Sequence, residues 1–285
     1  MVKSILSLTL LGLVALSGAA PLTAAPITED VPATIQARAG KNKRGIAFND
    51  AKLTKLFKTQ GSKVSWMYNW DSAANGVAEG WEFVPLLHGK GPEYVNKWTG
   101  NVEKAIKAGA THAMSFNEPD QCGGGGACMQ DVGATVAAFK QWVQPLSKYG
   151  DKLKIGAPAV TNGVKDSVTG SDMGLPWLKR FLAGCSGCKI DFTVIHWYDS
   201  AKNVPYFKKQ VTDAYNAGGK KPVWITEFAP QGSDQEKIAF LREVLPWLDS
   251  QDWVERYAYH FATPGILVNA AGNALTPLGQ AFNTI

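Results

Sequence analysis

Charge is scarce in this sequence: 19% of its 285 residues are Asp, Glu, Lys or Arg, against 45% hydrophobic. A disordered protein needs the opposite balance, so that class is excluded and a sizeable core is expected. No period of 20–50 residues repeats, which excludes a solenoid or a propeller. There is no Gly-x-Ser-x-Gly elbow and no glycine loop followed by Gly-Lys-Ser/Thr, so the common serine-esterase and nucleotide-loop patterns are absent. No Asn-x-Ser/Thr acceptor occurs, and N-glycosylation is not expected.

Only one stretch, Ile5 to Leu16, is apolar enough to suggest a membrane span, and it is shorter than the roughly 20 residues a span requires. Lys3 precedes it and Ser17-Gly18-Ala19 follows, the pattern of a secretory signal. Residues 1–19 are read as that signal, with a second cleavage point near Ala25, residues 20–40 as linker or pro-segment, and 41–285 as one domain. The expected location is secreted, extracellular or in a cell wall, with no membrane partner. Without the first 25 residues the chain has 28 basic against 24 acidic side chains, a mild +4. The short runs Lys208-Lys209 and Lys220-Lys221 come with no nucleic-acid motif, so no nucleic-acid partner is expected, and the protein is read as a monomer.

The four cysteines fall in two local pairs, Cys122 with Cys128 and Cys185 with Cys188. In an oxidising compartment two disulfides are the default, although sequence alone leaves the pairing 122–185 with 128–188 open. A zinc site is the rival. Against it, the first pair is spaced Cys-x5-Cys around four glycines, which suits a flexible cross-linked loop better than a zinc ribbon.

Eight β-branched or aromatic runs alternate with stretches of helical spacing, the mark of βαβ units. The expected strands are Arg44–Phe48, Val64–Trp70, Glu82–Leu87, Ala113–Phe116, Lys154–Ala157, Phe192–His196, Val223–Thr226 and Arg256–Phe261. Helices are expected over Pro92–Ala108, Val132–Tyr149, Pro176–Leu182, Tyr206–Ala217 and Asp234–Leu248. The fold class is α/β, and the expectation is a single (β/α)8 TIM barrel, which typically needs about 250 residues. An open doubly wound sheet is the alternative, but Asn49-Asp50-Ala51 is not the glycine-rich turn it usually carries.

Polar and acidic residues gather after these strands: Asn49, Asn69 to Asp71, His88, Asn117 to Asp120, Asn162, His196 to Asp199, Glu227 and His260. In a barrel all such strand ends share one mouth. Ser115-Phe116-Asn117-Glu118-Pro119-Asp120 runs an apolar strand into a carboxylate stopped by proline, which is expected to hold Glu118 extended. Val223-Trp224-Ile225-Thr226-Glu227-Phe228 places a second carboxylate at the end of the seventh strand. Two carboxylates facing each other across one mouth are what glycoside cleavage needs, one as acid and the other as nucleophile or base. Alone, each could be a surface charge in a βα loop.

Among the aromatics, Tyr68 and Trp70, flanking Asn69, and Trp197 and Tyr198, after His196, are the candidate sugar platforms. Aromatics equally build cores, and strand residues alternate faces. His88, His196 and His260 are read as hydrogen-bonding substrate. They lack His-x-His or Glu-x-x-His spacing, so no metal and no cofactor are expected.

The segments Arg44–Asn49, Phe83–Leu87, Ser115–Asp120, Ile155–Ala159, Cys185–Tyr198 and the Glu227 strand together resemble the fungal alkali-sensitive-linkage-type glycosyl hydrolases, glycoside hydrolase family 128, over about residues 43–282. The resemblance implies a β-1,3-glucanase that retains anomeric configuration, with Glu118 as acid/base and Glu227 as nucleophile. It implies Asn117 on the sugar 2-hydroxyl, and Tyr68, Trp70, His196, Trp197 and Tyr198 along the subsites. His88 departs from the family's pattern, where tryptophan is expected. Endo action on a β-glucan polysaccharide or oligosaccharide is the expected activity. The alternatives are a wall-bound carbohydrate-binding protein that cleaves poorly, and a barrel hydrolase of β-1,4-glucan or mannan.

Overall fold

The computed structural model describes residues 43–76 and 80–285. The expected signal and linker, residues 1–40, lie outside the described residues. Among the described residues eight strands occur in chain order: β1 Arg44–Phe48, β2 Val64–Tyr68, β3 Glu82–Phe83, β4 His112–Ala113, β5 Lys154–Ile155, β6 Thr193–Ser200, β7 Val223–Gln231 and β8 Val254–Ala262. Every pairing between them is parallel, in a six-stranded sheet ordered β3-β2-β1-β8-β7-β6 and a pair β4-β5. Isolated parallel bridges continue between the two: Leu86 to Met114, Gly156 to Phe192 and Val160 to Ile195.

Helices Pro92–Lys107, Gly174–Gly184, Val204–Ala217 and Asp234–Ser250 lie between strands as expected, and Pro277–Thr284 closes the chain. The expected helix Val132–Tyr149 is not one α-helix. Val132–Ala138 passes into a π-turn, Phe139–Val143, and then a 3₁₀ stretch, Gln144–Lys152. Pro145 has no N–H to donate, so one rung of the ladder is missing where the 3₁₀ stretch begins. No helix among the described residues is long and apolar enough to cross a membrane.

The period-2 alternation of strand side chains sorts two cores. Ala47, Trp66, Tyr68, Val84, Phe192, Val194 and Trp224 pack together on one face of the strands. Ile46, Phe48, Met67, Ile195, Trp197, Ile225 and Phe228 pack on the other face, against the helices. The first core needs Gly45, because a Cβ there would come within 2.1 Å of the Trp66 ring.

This alternation corrects two expected platforms. Trp197 shares the helix-facing side with Ile195 and is fully buried, stacked on Phe240 at 5.4 Å. Tyr68 is on the inner face but too deep, fully buried and donating its hydroxyl to the Thr226 carbonyl at 2.9 Å.

The Cys122–Cys128 and Cys185–Cys188 disulfides are both formed, as local pairs. At the starting ends of the strands, Glu82, His112, Lys154, Glu255 and Arg256 form an ion network beneath Trp66 and Trp224. The opposite, C-terminal ends carry the carboxylates singled out above.

Candidate active site

Strands β6 and β7 run further than expected. Pairing continues from His196 opposite Glu227 to Ser200 opposite Gln231, so Glu227 lies inside β7 rather than at its end. The polar residues taken as strand stops are carried by the ladder itself. Register shifts occur between Ile195 and His196 on β6 and between Ile225 and Phe228 against β8, at the level of Glu227. Such irregularities re-aim side chains, and they recur beside active sites.

Glu118 is not extended, contrary to the expectation from Pro119. It has φ 42, in the left-handed region, and Trp70 has φ 58. A non-glycine residue there costs on the order of 1–2 kcal/mol, which the surrounding contacts must offset. The contacts are visible. The Glu118 N–H donates to the Ala159 carbonyl at 2.9 Å, and the carbonyl of Glu118 accepts from the Gln121 N–H at 3.2 Å. Asp120, two residues on, is fully buried and accepts from the Gly174 N–H at 2.7 Å and the Thr161 hydroxyl at 2.8 Å. Burial pushes the Asp120 carboxyl up despite those donors.

Both candidate carboxylates are buried, each 5% exposed. Oxygens of Glu118 and Glu227 and a ring nitrogen of His196 all lie within 4.8 Å of one another. His196 Nδ1 sits 2.7 Å from Glu118 Oε1 and 3.5 Å from Glu227 Oε2, and its Nε2 is 3.0 Å from the Thr226 hydroxyl. Glu227 Oε1 accepts from the Trp70 indole at 2.6 Å, and Oε2 accepts from the Tyr198 hydroxyl.

Burial pushes the Glu227 carboxyl up, but His196, His260 and the Tyr198 and Trp70 donors outweigh it and hold it below the ordinary carboxylate range. Burial likewise pushes the His196 imidazole down, yet the charges of Glu227 and Glu118 win and raise it. The two carboxylates thus favour the charged form of the His196 ring that lies between them. For His260 and His88 burial dominates and lowers both, against the opposing pull of Glu227 and Glu118. The cluster Glu118, His196 and Glu227 offers three ligand atoms to a metal.

Two hollows meet at these carboxylates. One, about 230 Å³, is lined by Asn49, Trp70, His88, Asn117 and Phe261; the other, about 500 Å³, by Gln121, Thr161, Asn162, Met173 and Tyr198. Glu118, Gly124, Glu227 and His260 line both. Asn49, Trp70, His88, Asn117, Tyr198 and His260 are thus brought together as expected. His196 is not a wall of either hollow: at 1% exposure it faces the carboxylates, not a ligand. The Asn117 amide donates to the Gly125 carbonyl at 3.3 Å, while its Oδ1, among the described residues, is buried without a partner.

Gln121, Thr161, Met173 and Phe261 were not singled out from the sequence. Gln121 had one usable signal, its place three residues after Glu118 at the start of the glycine loop.

A model of the glycosyl hydrolase catalytic core matches residues 45–282. Alkali-sensitive linkage protein 1 of Schizosaccharomyces pombe is 30% identical over 241 residues, 81% of this chain, which spans only 41% of that protein's length. Among solved structures, a family 128 subgroup III curdlan-specific exo-β-1,3-glucanase from Blastomyces gilchristii, in complex with glucose, is 40% identical with a TM-score of 0.74. It is covered to 98% by 85% of this chain. The subgroup I endo-β-1,3-glucanase of Amycolatopsis mediterranei, in complex with laminaritriose, is 25% identical with a TM-score of 0.64, covering 85% of this chain and 98% of its own.

Proposed function

The chain belongs to the glycosyl hydrolase catalytic core family, and from that premise we propose that it cleaves β-1,3-glucan with retention, Glu118 acting as acid/base and Glu227 as nucleophile. The observation that carries this reading is the cluster in which oxygens of both carboxylates lie within 4.8 Å of one another at the meeting point of two hollows. Retaining enzymes keep their carboxyl groups about 5–5.5 Å apart, whereas inverting ones leave about 6.5–9.5 Å for a water. One oxygen of each carboxylate within 4.8 Å of the other leaves little room for an intervening water, which favours the retaining class. The β-1,3 linkage is supported by the activities of the Blastomyces and Amycolatopsis proteins.

The sheet reading follows the same premise. The bridges from Leu86 to Met114 and from Gly156 to Phe192 join the two-stranded pair to both edges of the six-stranded sheet, which supports a closed (β/α)8 barrel. We take residues 1–19 as an export signal, 20–40 as a linker and the remainder as one monomeric secreted domain.

In the first step Glu118 gives its proton to the linkage oxygen as the C1–O bond breaks, and a Glu227 oxygen bonds to C1. The bond's electron pair leaves with the departing sugar hydroxyl. In the second step Glu118 takes a proton from water, whose oxygen attacks C1 and releases the Glu227 carboxylate. Asn117, which lines the smaller hollow beside both carboxylates, is read as the partner of the 2-hydroxyl of the sugar being cleaved. Tyr198 and Trp70 hold Glu227 ionised and aimed. As Glu227 loses its charge to the glycosyl ester, Glu118 gains one, and the His196 imidazolium between them neutralises whichever is ionised.

Hollows on both sides of the carboxylates support endo action, with chain on each side of the bond. The product-length distribution from laminarin checks it. Glu227→Gln should abolish laminarin hydrolysis, and NMR of the first released anomer should show the β form. Near-normal hydrolysis by the variant, or an α product, overturns the mechanism.

A further inference from the structure

The glycine-rich disulfide loop does more than close the cleft, because it carries Gln121 against the acid/base carboxylate. Gln121 Nε2 lies 3.3 Å from Glu118 Oε2 and 3.1 Å from the Gly123 carbonyl. One amide hydrogen thus points to the carboxylate and the other to the loop. The remaining Glu118 oxygen is held by His196 at 2.7 Å, so the carboxyl group is gripped at both ends.

The loop is built around that amide. The Cys122–Cys128 disulfide spans it, the Cys128 N–H donates to the Gln121 carbonyl at 3.1 Å, and the Cys122 N–H donates to Asp166 at 2.8 Å. A Cβ on Gly124 would sit 2.6 Å from Gln121 Nε2. One on Gly126 would sit 2.5 Å from the Gln121 carbonyl and 2.9 Å from that of Glu118. Glycine is required at Gly126 because the backbone carbonyls of Gln121 and Glu118 occupy the space, and a side chain at Gly124 would displace the Gln121 amide. Gly124 also has φ 57, which only glycine adopts without strain.

The geometry points to Gln121 as a positioning residue for Glu118, with the Cys122–Cys128 loop as the frame that holds it. This rests on the reading of Glu118 as acid/base. By occupying one lone pair of Oε2, Gln121 fixes the plane of the carboxyl group, so the proton-bearing lone pair faces the larger hollow, where the linkage oxygen departs. It also stabilises the carboxylate left after proton transfer, which then serves as the base.

The test exploits leaving-group chemistry. A sugar hydroxyl needs the Glu118 proton to depart, whereas a dinitrophenolate does not. The kcat/KM of wild type and Gln121→Leu is measured on laminaritetraose and on a dinitrophenyl β-laminaribioside. Loss of one hydrogen bond to a carboxylate should lower the first about tenfold and change the second less than about twofold. The doubly substituted Cys122→Ser/Cys128→Ser chain, with no clamp, should show the same split. Equal losses on both substrates, or no loss on either, overturn the inference for Gln121, and for the frame when seen in the cysteine variant. Glu118→Gln run alongside separates the two layers: it should show the same split, at about a hundredfold or more. If that split is missing, the assignment of Glu118 fails. If it is present while Gln121→Leu lacks it, only the positioning role fails.

Discussion

His196 Nδ1 lies 2.7 Å from Glu118 Oε1, both groups being buried. Burial on its own would keep the imidazole neutral; the charges of Glu227 and Glu118 reverse that and raise its titration above the ordinary range. An unfolded chain titrates this group near about 6.5, so its stabilising contribution is complete below that pH and is lost as pH rises through the higher folded value. His196→Asn should therefore flatten the alkaline decline of Tm, which melting curves taken at closely spaced pH values above neutrality will show. It should also lower kcat on the order of a hundredfold, because a fixed charge between the two carboxylates is removed. A variant whose Tm falls as steeply as wild type on the alkaline side would mean the imidazolium is not the source.

Trp70→Phe keeps an aromatic ring but removes the indole donor at 2.6 Å from Glu227 Oε1. That donor is one of the contacts that outweigh burial and hold Glu227 below its ordinary range, so without it the carboxylate titrates higher. Since the nucleophile must be ionised, the acidic limb of the kcat/KM profile should move to higher pH. At the optimum the loss should be about tenfold. A profile that keeps its acidic limb in place would leave Trp70 as a sugar platform only.

The same strands show what sequence can and cannot reveal. That Glu118, Asn117 and Glu227 come together in one cleft was legible because polar residues follow the apolar runs of their segments. Period-2 alternation assigns a face, and it would have put Trp197 with Ile195 against the helices had the strand not been ended at His196. Depth along the strand is a different matter. Tyr68 and Trp70 are two residues apart, yet the first is fully buried while the second reaches the hollow, because of a left-handed backbone turn at Trp70. The left-handed backbone at Glu118 was equally hidden, since Pro119 biases its predecessor toward extended geometry and only tertiary contacts override it. Gln121 had only its spacing from Glu118 to mark it, since its contact with that carboxylate depends on how the glycine loop folds.

Trp197 gives a direct check of that correction. Its ring is fully buried, stacked on Phe240 and edge-on to Phe207 at 5.0 Å. Trp197→Ala should cost about 3–5 kcal/mol of stability in denaturant titration while leaving KM of the folded fraction unchanged. A raised KM with little loss of stability would return Trp197 to the substrate path.

The strand-start network offers a test of fold stability that leaves the cleft untouched. Glu82 accepts from the Thr111 N–H at 2.8 Å, lies 3.2 Å from His112 Nδ1 and is paired with Arg256. The Arg256 guanidinium sits over the Trp224 ring at 4.7 Å and the Trp66 ring at 5.4 Å, so this ion pair caps the inner aromatic layer. Burial pushes the Glu82 carboxyl up, but His112, Arg256 and the Thr111 N–H outweigh it and bring it down to about 2. A carboxylate depressed in this way contributes stability that is fully present above its unfolded value of about 4.3 and is lost as pH falls toward the folded value. Glu82→Gln leaves Arg256 buried without its counter-charge and should cost about 3–5 kcal/mol at neutral pH. It should also remove the part of the acid-induced fall in Tm that wild type shows from about pH 4 down to about 2. An undiminished acid slope in the variant would show that carboxylates elsewhere in the fold set the acid stability.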